Sequence, residues 1–383
     1  MSAKKTILIL CDWFLPGYLA GGPIQSIATL TKQLGNDIDF KIITTDRDFK
    51  SNKPYDNVKV NEWTNFEGRD VFYVSPEKMN SEFVLKLIQN TQHDSIYLNS
   101  LFSKLFAVSP LKWKQQGKIN SKIILAPRGM LGDGALAIKS FKKQLFLMYA
   151  KTFGLFKQVC WQSTSAQETA EIKKRVGNSS QIIEVSNLPN TANEIKLIEK
   201  KEGELKLCFI SRISEKKNLN FAIDILKEIK NVQITCDVFG PIEDEAYWST
   251  CKENEKGLSK NVSFKYKGVL KPQQIGETIG QYHALFLPTQ NENYGHIIVE
   301  ALQHARPVIL SDQTPWRNLQ QENVGFDIAL SDKAKFVSAI EMLVNLNQSE
   351  FDAMSKTCIS YINHQLNVEE IKSQYLKMFA INN

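Results

Sequence analysis

The chain has 383 residues, 43% of them hydrophobic and 23% charged, with 19 glycines and 12 prolines. That length exceeds one ordinary core and suits two domains of about 150–200 residues, and the near-average composition disfavours extensive disorder, collagen-like repeats and a coiled-coil rod. The formal charge of +6 is uneven: residues 1–186 carry 25 basic and 16 acidic side chains, residues 187–383 carry 22 and 25. Lys4 and Lys5 precede an apolar run as a signal peptide would have it, but the run spans only 7–11 before Asp12 and reads as a buried first strand. Further strand-like runs follow at 40–45, 71–74, 95–98, 122–126 and 159–164, with helical patterns at 23–34, 81–90 and 166–175. After a polar stretch, 187–204, the rhythm restarts with strands at 206–211, 233–239, 262–266, 284–288 and 308–311. An amphipathic helix at 368–379 closes the pattern. Such alternation indicates βαβ units and parallel sheets covered on both faces. The expectation is an α/β chain of two Rossmann-like domains, 1–186 and 187–359, with a C-terminal helix at about 360–383 crossing back to the first. No window holds the apolar run that a membrane span needs. The six cysteines are scattered, with no Cys-x-x-Cys and no histidine cluster, which speaks against a zinc or disulfide framework and for a reducing cytoplasm.

In open parallel sheets, ligands bind beyond the carboxyl ends of the strands, so the loops after strands hold the candidates. Residues 289–302 (TQNENYGHIIVEAL) leave a strand, cross a polar loop and enter a helix near Gly295. Free amides at such a helix start favour an anion, and Glu292 with Glu300 can accept hydrogen bonds from sugar or ribose hydroxyls. The alternative is a loop acid plus a solvated helix acid. Beyond the 206–211 strand, Arg212 and Lys217 form a pair suited to neutralising a pyrophosphate, or simply a solvated turn. Asp46-Arg47-Asp48 matches the Asp-x-Asp metal motif, but two aspartates after a strand are more often turn and cap residues. The loop at 12–17 (DWFLPG) lacks the G-x-G-x-x-G of a dinucleotide oxidoreductase.

Arg212 with Lys217, followed about 80 residues later by Glu292 with Glu300 and then by Ala301-Leu302 to Pro307-Val308-Ile309, resembles the paired signature of glycosyltransferase family 4. Gly21-Gly22-Pro23 after the first strand does so too, and the likeness runs from Thr6 to about Phe379. The resemblance implies the GT-B fold, two Rossmann-like domains facing across a cleft. It implies retaining transfer from a nucleotide sugar, UDP- or GDP-linked, to a hydroxyl of a glycan or lipid-linked acceptor in capsule, exopolysaccharide or lipopolysaccharide synthesis. By the same resemblance Arg212 and Lys217 bind the donor diphosphate, Glu292 holds the donor sugar and completes the catalytic set, and Glu300 holds the ribose. The amides of Asn293, Tyr294, Gly295 and His296 contact phosphates and sugar, Gly268, Val269 and Leu270 hold the base, and Gly21 and Gly22 admit diphosphate or acceptor. The nucleotide sugar is a substrate, so no cofactor and no metal are implied. Asn218 stands where the family usually has glycine. The fourth and fifth strands end in Leu98-Asn99-Ser100 and Ala126-Pro127-Arg128-Gly129-Met130, where an acid or histidine is common. The second of these resembles a branch of surface-polysaccharide enzymes and makes Arg128 and Asn99 the acceptor-side candidates. A nucleotide-sugar 2-epimerase of the same fold and a non-catalytic glycan-binding relative are the alternatives; the order of the motifs and the intact Arg212, Lys217, Glu292 and Glu300 favour a transferase.

Residues 112–157 hold ten basic side chains against the single acid Asp133, which accounts for the whole excess of the N-terminal half. Aromatic and aliphatic side chains crowd 139–157. A basic helix with an apolar face suits an anionic membrane surface; the alternative is a surface helix packing that face on its own domain. Nothing indicates the base-stacking platform of a nucleic-acid binder. The expected location is the cytoplasm, peripheral to the inner face of the cell membrane.

Overall fold

The computed structural model describes residues 4–137, 140–177, 181–190 and 196–380. The chain divides into two compact units, Met1–Leu188 with Val368–Asn383, and Pro189–Asn367. The return to the first unit falls at Asn367–Val368 rather than near 360, because helix Gln348–Gln365 stays with the second unit and only helix Val368–Ala380 leaves it.

The first unit is built on strands β1 (Lys5–Leu10), β2 (Ile38–Thr45), β3 (Trp63–Phe66), β4 (Arg69–Val74), β5 (Ser95–Leu98), β6 (Lys122–Leu125), β7 (Val159–Ser163) and β8 (Gln181–Glu184). They lie in the order β3-β4-β2-β1-β5-β6-β7-β8, parallel except for β3, which runs antiparallel to β4. Alternation along β1 sends Ile7 and Ile9 to one face and Leu8 and Leu10 to the other, and all four are fully buried. Ile7 and Ile9 share a core with Ile27 and Leu30 of helix Gly22–Leu34 and with Tyr375 and Phe379 of helix Val368–Ala380. Leu8 and Leu10 share the opposite core with Val84 and Ile88 of helix Ser81–Gln89 and Leu111 of helix Ser109–Gln115. Each such side chain contributes roughly 1.5–3 kcal/mol by leaving water.

The second unit is built on β9 (Glu204–Ile210), β10 (Gln233–Phe239), β11 (Val262–Tyr266), β12 (Ala284–Leu287), β13 (Val308–Ser311) and β14 (Gly325–Ile328). Their order is β11-β10-β9-β12-β13-β14, all parallel. In both sheets the first strand is internal and the chain winds outward from it in two directions. The winding therefore reverses between β1 and β5, and again between β9 and β12. No described helix is long and apolar enough to cross a membrane.

Candidate functional site

In the second unit, the loops that follow β9 and β12 lie side by side at the point where the winding reverses, the place where such sheets bind ligands. Hydrogen bonds stitch them together. The Gln290 N–H and the Thr289 hydroxyl donate to the Lys216 carbonyl at 2.9 and 3.0 Å, and Asn218 Nδ2 donates to the Pro288 carbonyl at 3.0 Å. Asn218 adopts the left-handed conformation, φ 63° and ψ 37°. Asparagine tolerates that region better than most side-chain-bearing residues, which is why it can replace a glycine there. These links place Lys217 Nζ 2.5 Å from Glu292 Oε2, across 75 positions of sequence. Burial by itself pushes the Glu292 carboxyl up. The Lys217 ammonium, Lys216 and the Asn293 N–H at 3.2 Å outweigh it and hold the group below its usual range, ionised at neutral pH.

Gly295, with φ 77°, opens helix His296–Gln303, which has no side-chain cap. A Cβ at Gly295 would lie 2.6 Å from Ile298 Cδ1 and 3.2 Å from Glu292 Cγ, so glycine is what lets Glu292 rest against the helix start. The His296 ring meets Tyr294 edge-on at 4.8 Å, and the Tyr294 carbonyl accepts from Trp316 Nε1 at 2.6 Å. Glu300, on the next turn, is buried and accepts from Asn190 Nδ2 at 3.3 Å. Burial raises its carboxyl to about 7 against the opposing effect of that hydrogen bond. Near neutral pH it can therefore donate to a hydroxyl as well as accept from one. Arg212 pairs with Glu243 at 2.9 Å, not with Glu292. Gly268, with φ 86°, accepts from the Gly240 N–H at 2.9 Å; Val269 beside it is exposed, and Leu270 packs on the core.

The candidates in the first unit also meet at its reversal point. Gly21, with φ 70°, precedes helix Gly22–Leu34, whose first turn holds Pro23, a residue pre-set for that position. Asn99, just past β5, donates to the Pro23 carbonyl at 3.3 Å and accepts from Arg128 Nε at 2.5 Å. Arg128 has φ 55° and donates further to the Tyr97 hydroxyl at 2.8 Å and to Asn187. These partners are neutral side chains, as is Tyr375, to which Arg128 also hydrogen-bonds. Tyr97 continues to Gln162, which donates to the Tyr375 hydroxyl at 2.9 Å, tying the cluster to the C-terminal helix. The following loop is anchored by Glu168, which accepts from the Gly129 N–H at 2.6 Å and from the Thr164 N–H and hydroxyl at 2.8 Å. The Asp-x-Asp pair builds the loop after β2. Asp46 pairs with Arg47 at 2.8 Å, and Asp48 accepts from the N–H groups of Tyr18, Leu19 and Phe49 at 2.8, 3.1 and 2.7 Å.

Several residues of these clusters escape a reading of the sequence. Gly240, with φ 134°, packs so closely on Ser211 that any Cβ would collide with its carbonyl. Its signal is its place directly after β10. Asn190 and Glu243 carry no local signal at all, because each is defined only by the charged side chain that folding brings to it.

Residues 190–361 match the family model described as glycosyl transferases group 1. A sequence search of the curated proteins finds no match. Among solved structures, sucrose-phosphate synthase from Thermosynechococcus elongatus is 15% identical with a TM-score of 0.70, covering 98% of both chains. Anabaena Alr3699/HepE, solved with UDP and glucose, is 15% identical with a TM-score of 0.72 over 98% of this chain and 99% of that one. WaaG, a glycosyltransferase of lipopolysaccharide biosynthesis, is 12% identical with a TM-score of 0.67 over 98% of this chain and all of its own. The chain thus shares the GT-B fold of these glycosyltransferases, and within it residues 190–361 match the group 1 glycosyl transferases.

Proposed function

We propose that the protein transfers a sugar, with retention, from a UDP- or GDP-linked donor to a hydroxyl of a glycan or lipid-linked acceptor in surface-polysaccharide synthesis. The observation that carries this reading is the Lys217–Glu292 pair, 2.5 Å apart at the strand ends of the second unit with Arg212 on the same loop as Lys217. Arg212 and Lys217 neutralise the donor diphosphate and the charge that develops on the departing nucleotide, the largest kind of catalytic contribution. Glu292, held ionised, accepts hydrogen bonds from the hydroxyls of the donor sugar. Glu300 meets the ribose, the amides of Asn293 to His296 meet phosphates and sugar, and Gly268 to Leu270 border the base. Gly21 and Gly22 admit the diphosphate, while Arg128 and Asn99 serve the acceptor.

In the proposed step the acceptor hydroxyl attacks the anomeric carbon from the face that the nucleotide leaves. The bond from that carbon to the phosphate oxygen breaks, and the departing phosphate oxygen takes the hydroxyl proton. Positioning and charge stabilisation supply the acceleration. Anabaena HepE has been solved with UDP-glucose and WaaG acts in lipopolysaccharide biosynthesis, which supports the donor and pathway classes. The basic face at 112–157 is the part we assign to an anionic membrane that carries the acceptor, and the protein works on its cytoplasmic side.

The test is a thermal-shift screen of UDP-, GDP- and ADP-sugars followed by turnover assays. A donor present at a hundred times its Kd stabilises the folded protein by about 2.7 kcal/mol. Lys217→Ala and Glu292→Ala should abolish transfer while the protein stays folded. Near-parental turnover in either variant overturns the site.

A further inference from the structure

Helix Ser140–Thr152 is apolar on two faces. Leu147 and Ala150 are buried in the first unit and Phe146 packs against the same core. Phe141, Leu145, Met148, Tyr149 and Phe153, spaced as one helical face, point outward with exposures from 39% for Tyr149 to 78% for Phe141. The sequence-based alternative in which the helix packs an apolar face on its own domain is thus met by Leu147 and Ala150, and a second apolar face stays exposed; Lys139, which precedes the helix, lies outside the described residues. A lone exposed apolar side chain is ordinary, but five on one helical face mark an interaction surface.

At the C-terminal end of this helix lies a cavity of about 670 Å³. It opens at the amino ends of β6, β7 and β8, whose first residues Lys122, Val159 and Gln181 line it, on the edge of the sheet opposite to Asn99 and Arg128. Lys114, Lys122, Lys151 and Lys157 stand in its wall, with no acidic residue among the described residues there. Burial pulls the Lys114 and Lys122 ammonium groups below the usual lysine range. An anion entering the hollow meets four cations and no carboxylate, two of the cations already partly withdrawn from water.

We propose that this cavity binds the phosphate headgroup of an anionic phospholipid while the outward apolar face of the helix enters the acyl boundary. The proposal rests on the membrane reading above and sharpens it from diffuse attraction to a headgroup site. Cavity and apolar face adjoin: Lys151 in the wall stands one helical turn beyond the exposed Met148, and Lys112 Nζ stands 5.3 Å over the Tyr149 ring. A second copy of the chain would set the same positive segment against itself. A lipid surface offers both the negative charge and the apolar interior. Along the chain the helix lies between the loop that carries Arg128 and β7, whose first residue lines the cavity.

The full-length chain should be co-sedimented with vesicles of phosphatidylcholine alone, with added phosphatidylglycerol, and with added oleate at equal surface charge. Binding should be strongest to phosphatidylglycerol, and Phe141→Ser/Leu145→Ser should weaken it on every vesicle. Lys151→Gln/Lys157→Gln should lose about 30-fold, as two near-surface cations at about 1 kcal/mol each would give. Lys53→Gln/Lys104→Gln, equal in charge change but outside both the cavity wall and residues 112–157, should lose less than about fivefold. Equal losses in the two pairs, or equal binding to oleate and phosphatidylglycerol, overturn the headgroup site and leave the membrane reading standing. Failure of the parent protein to bind any vesicle overturns both. Thermal stabilisation by inorganic pyrophosphate that is lost in Lys151→Gln/Lys157→Gln, with vesicle binding unchanged, assigns the cavity to a soluble phosphate and overturns the lipid.

Discussion

Replacing Glu300 by glutamine separates the burial of an ionisable group from the loss of its side chain. Glu300 is 8% exposed, and burial raises its carboxyl from the usual 4.5 to about 7. The folded protein therefore keeps, up to about pH 7, a proton that the unfolded chain releases near pH 4.5. Between those values folding takes up a proton, so the stability contributed by this group falls as pH rises through the interval and is constant above it. A displacement of that size corresponds to about 3 kcal/mol lost by pH 8. Glutamine keeps the volume and an oxygen to accept from Asn190 Nδ2, but it never ionises. Glu300→Gln should match the parent near pH 4.5 and exceed it by about 3 kcal/mol at pH 8, roughly 6–12 °C for a unit of this size. Thermal unfolding from pH 4.5 to 8 measures this. An identical pH dependence in the two proteins would refute the view that Glu300 is a desolvated acid.

The Lys217–Glu292 pair lends itself to a double-mutant cycle. Each single change leaves one charge buried without its partner at about 3 kcal/mol, and the double Lys217→Ala/Glu292→Gln should cost less than the sum by at least about 1 kcal/mol in urea unfolding. Gly295→Ala forces a Cβ into a left-handed position against Ile298 and Glu292. It should lower stability by about 1–2 kcal/mol and reduce turnover more than tenfold, the second effect reporting displacement of Glu292. Asp48→Ala removes the acceptor of three backbone N–H groups, two of which belong to the loop leading to Gly21. A loss of about 1–3 kcal/mol in urea unfolding is expected; unchanged stability would mean that the three N–H groups do not depend on this carboxylate.

Much of the architecture is visible in the chain because central parallel strands are buried on both faces and so appear as unbroken apolar runs, as in β1, β9 and β12. The strands that escape such a reading, β3, β8 and β14, are all at sheet edges. Trp63–Phe66 and Gln181–Glu184 are exposed at alternate or terminal positions and lack the run, and β14 opens on a glycine. The charged residues of the second unit were equally visible, since Arg212, Lys217, Glu292 and Glu300 stand in the loops and helix that directly follow strands, where parallel sheets meet their ligands. Their pairings were not. That Lys217 meets Glu292 while Arg212 turns to Glu243 follows from the order β10-β9-β12, which sets two distant loops side by side. The same holds for Asn190 against Glu300, and for the neutral partners that hold Arg128. The opening charge asymmetry followed this pattern too. Composition located it in residues 112–157, but only packing divided helix Ser140–Thr152 into an inward and an outward apolar face and gathered four lysines around one cavity. Periodicity is a local property and is written along the chain; proximity across a sheet depends on the winding order of strands, which no local stretch of sequence contains.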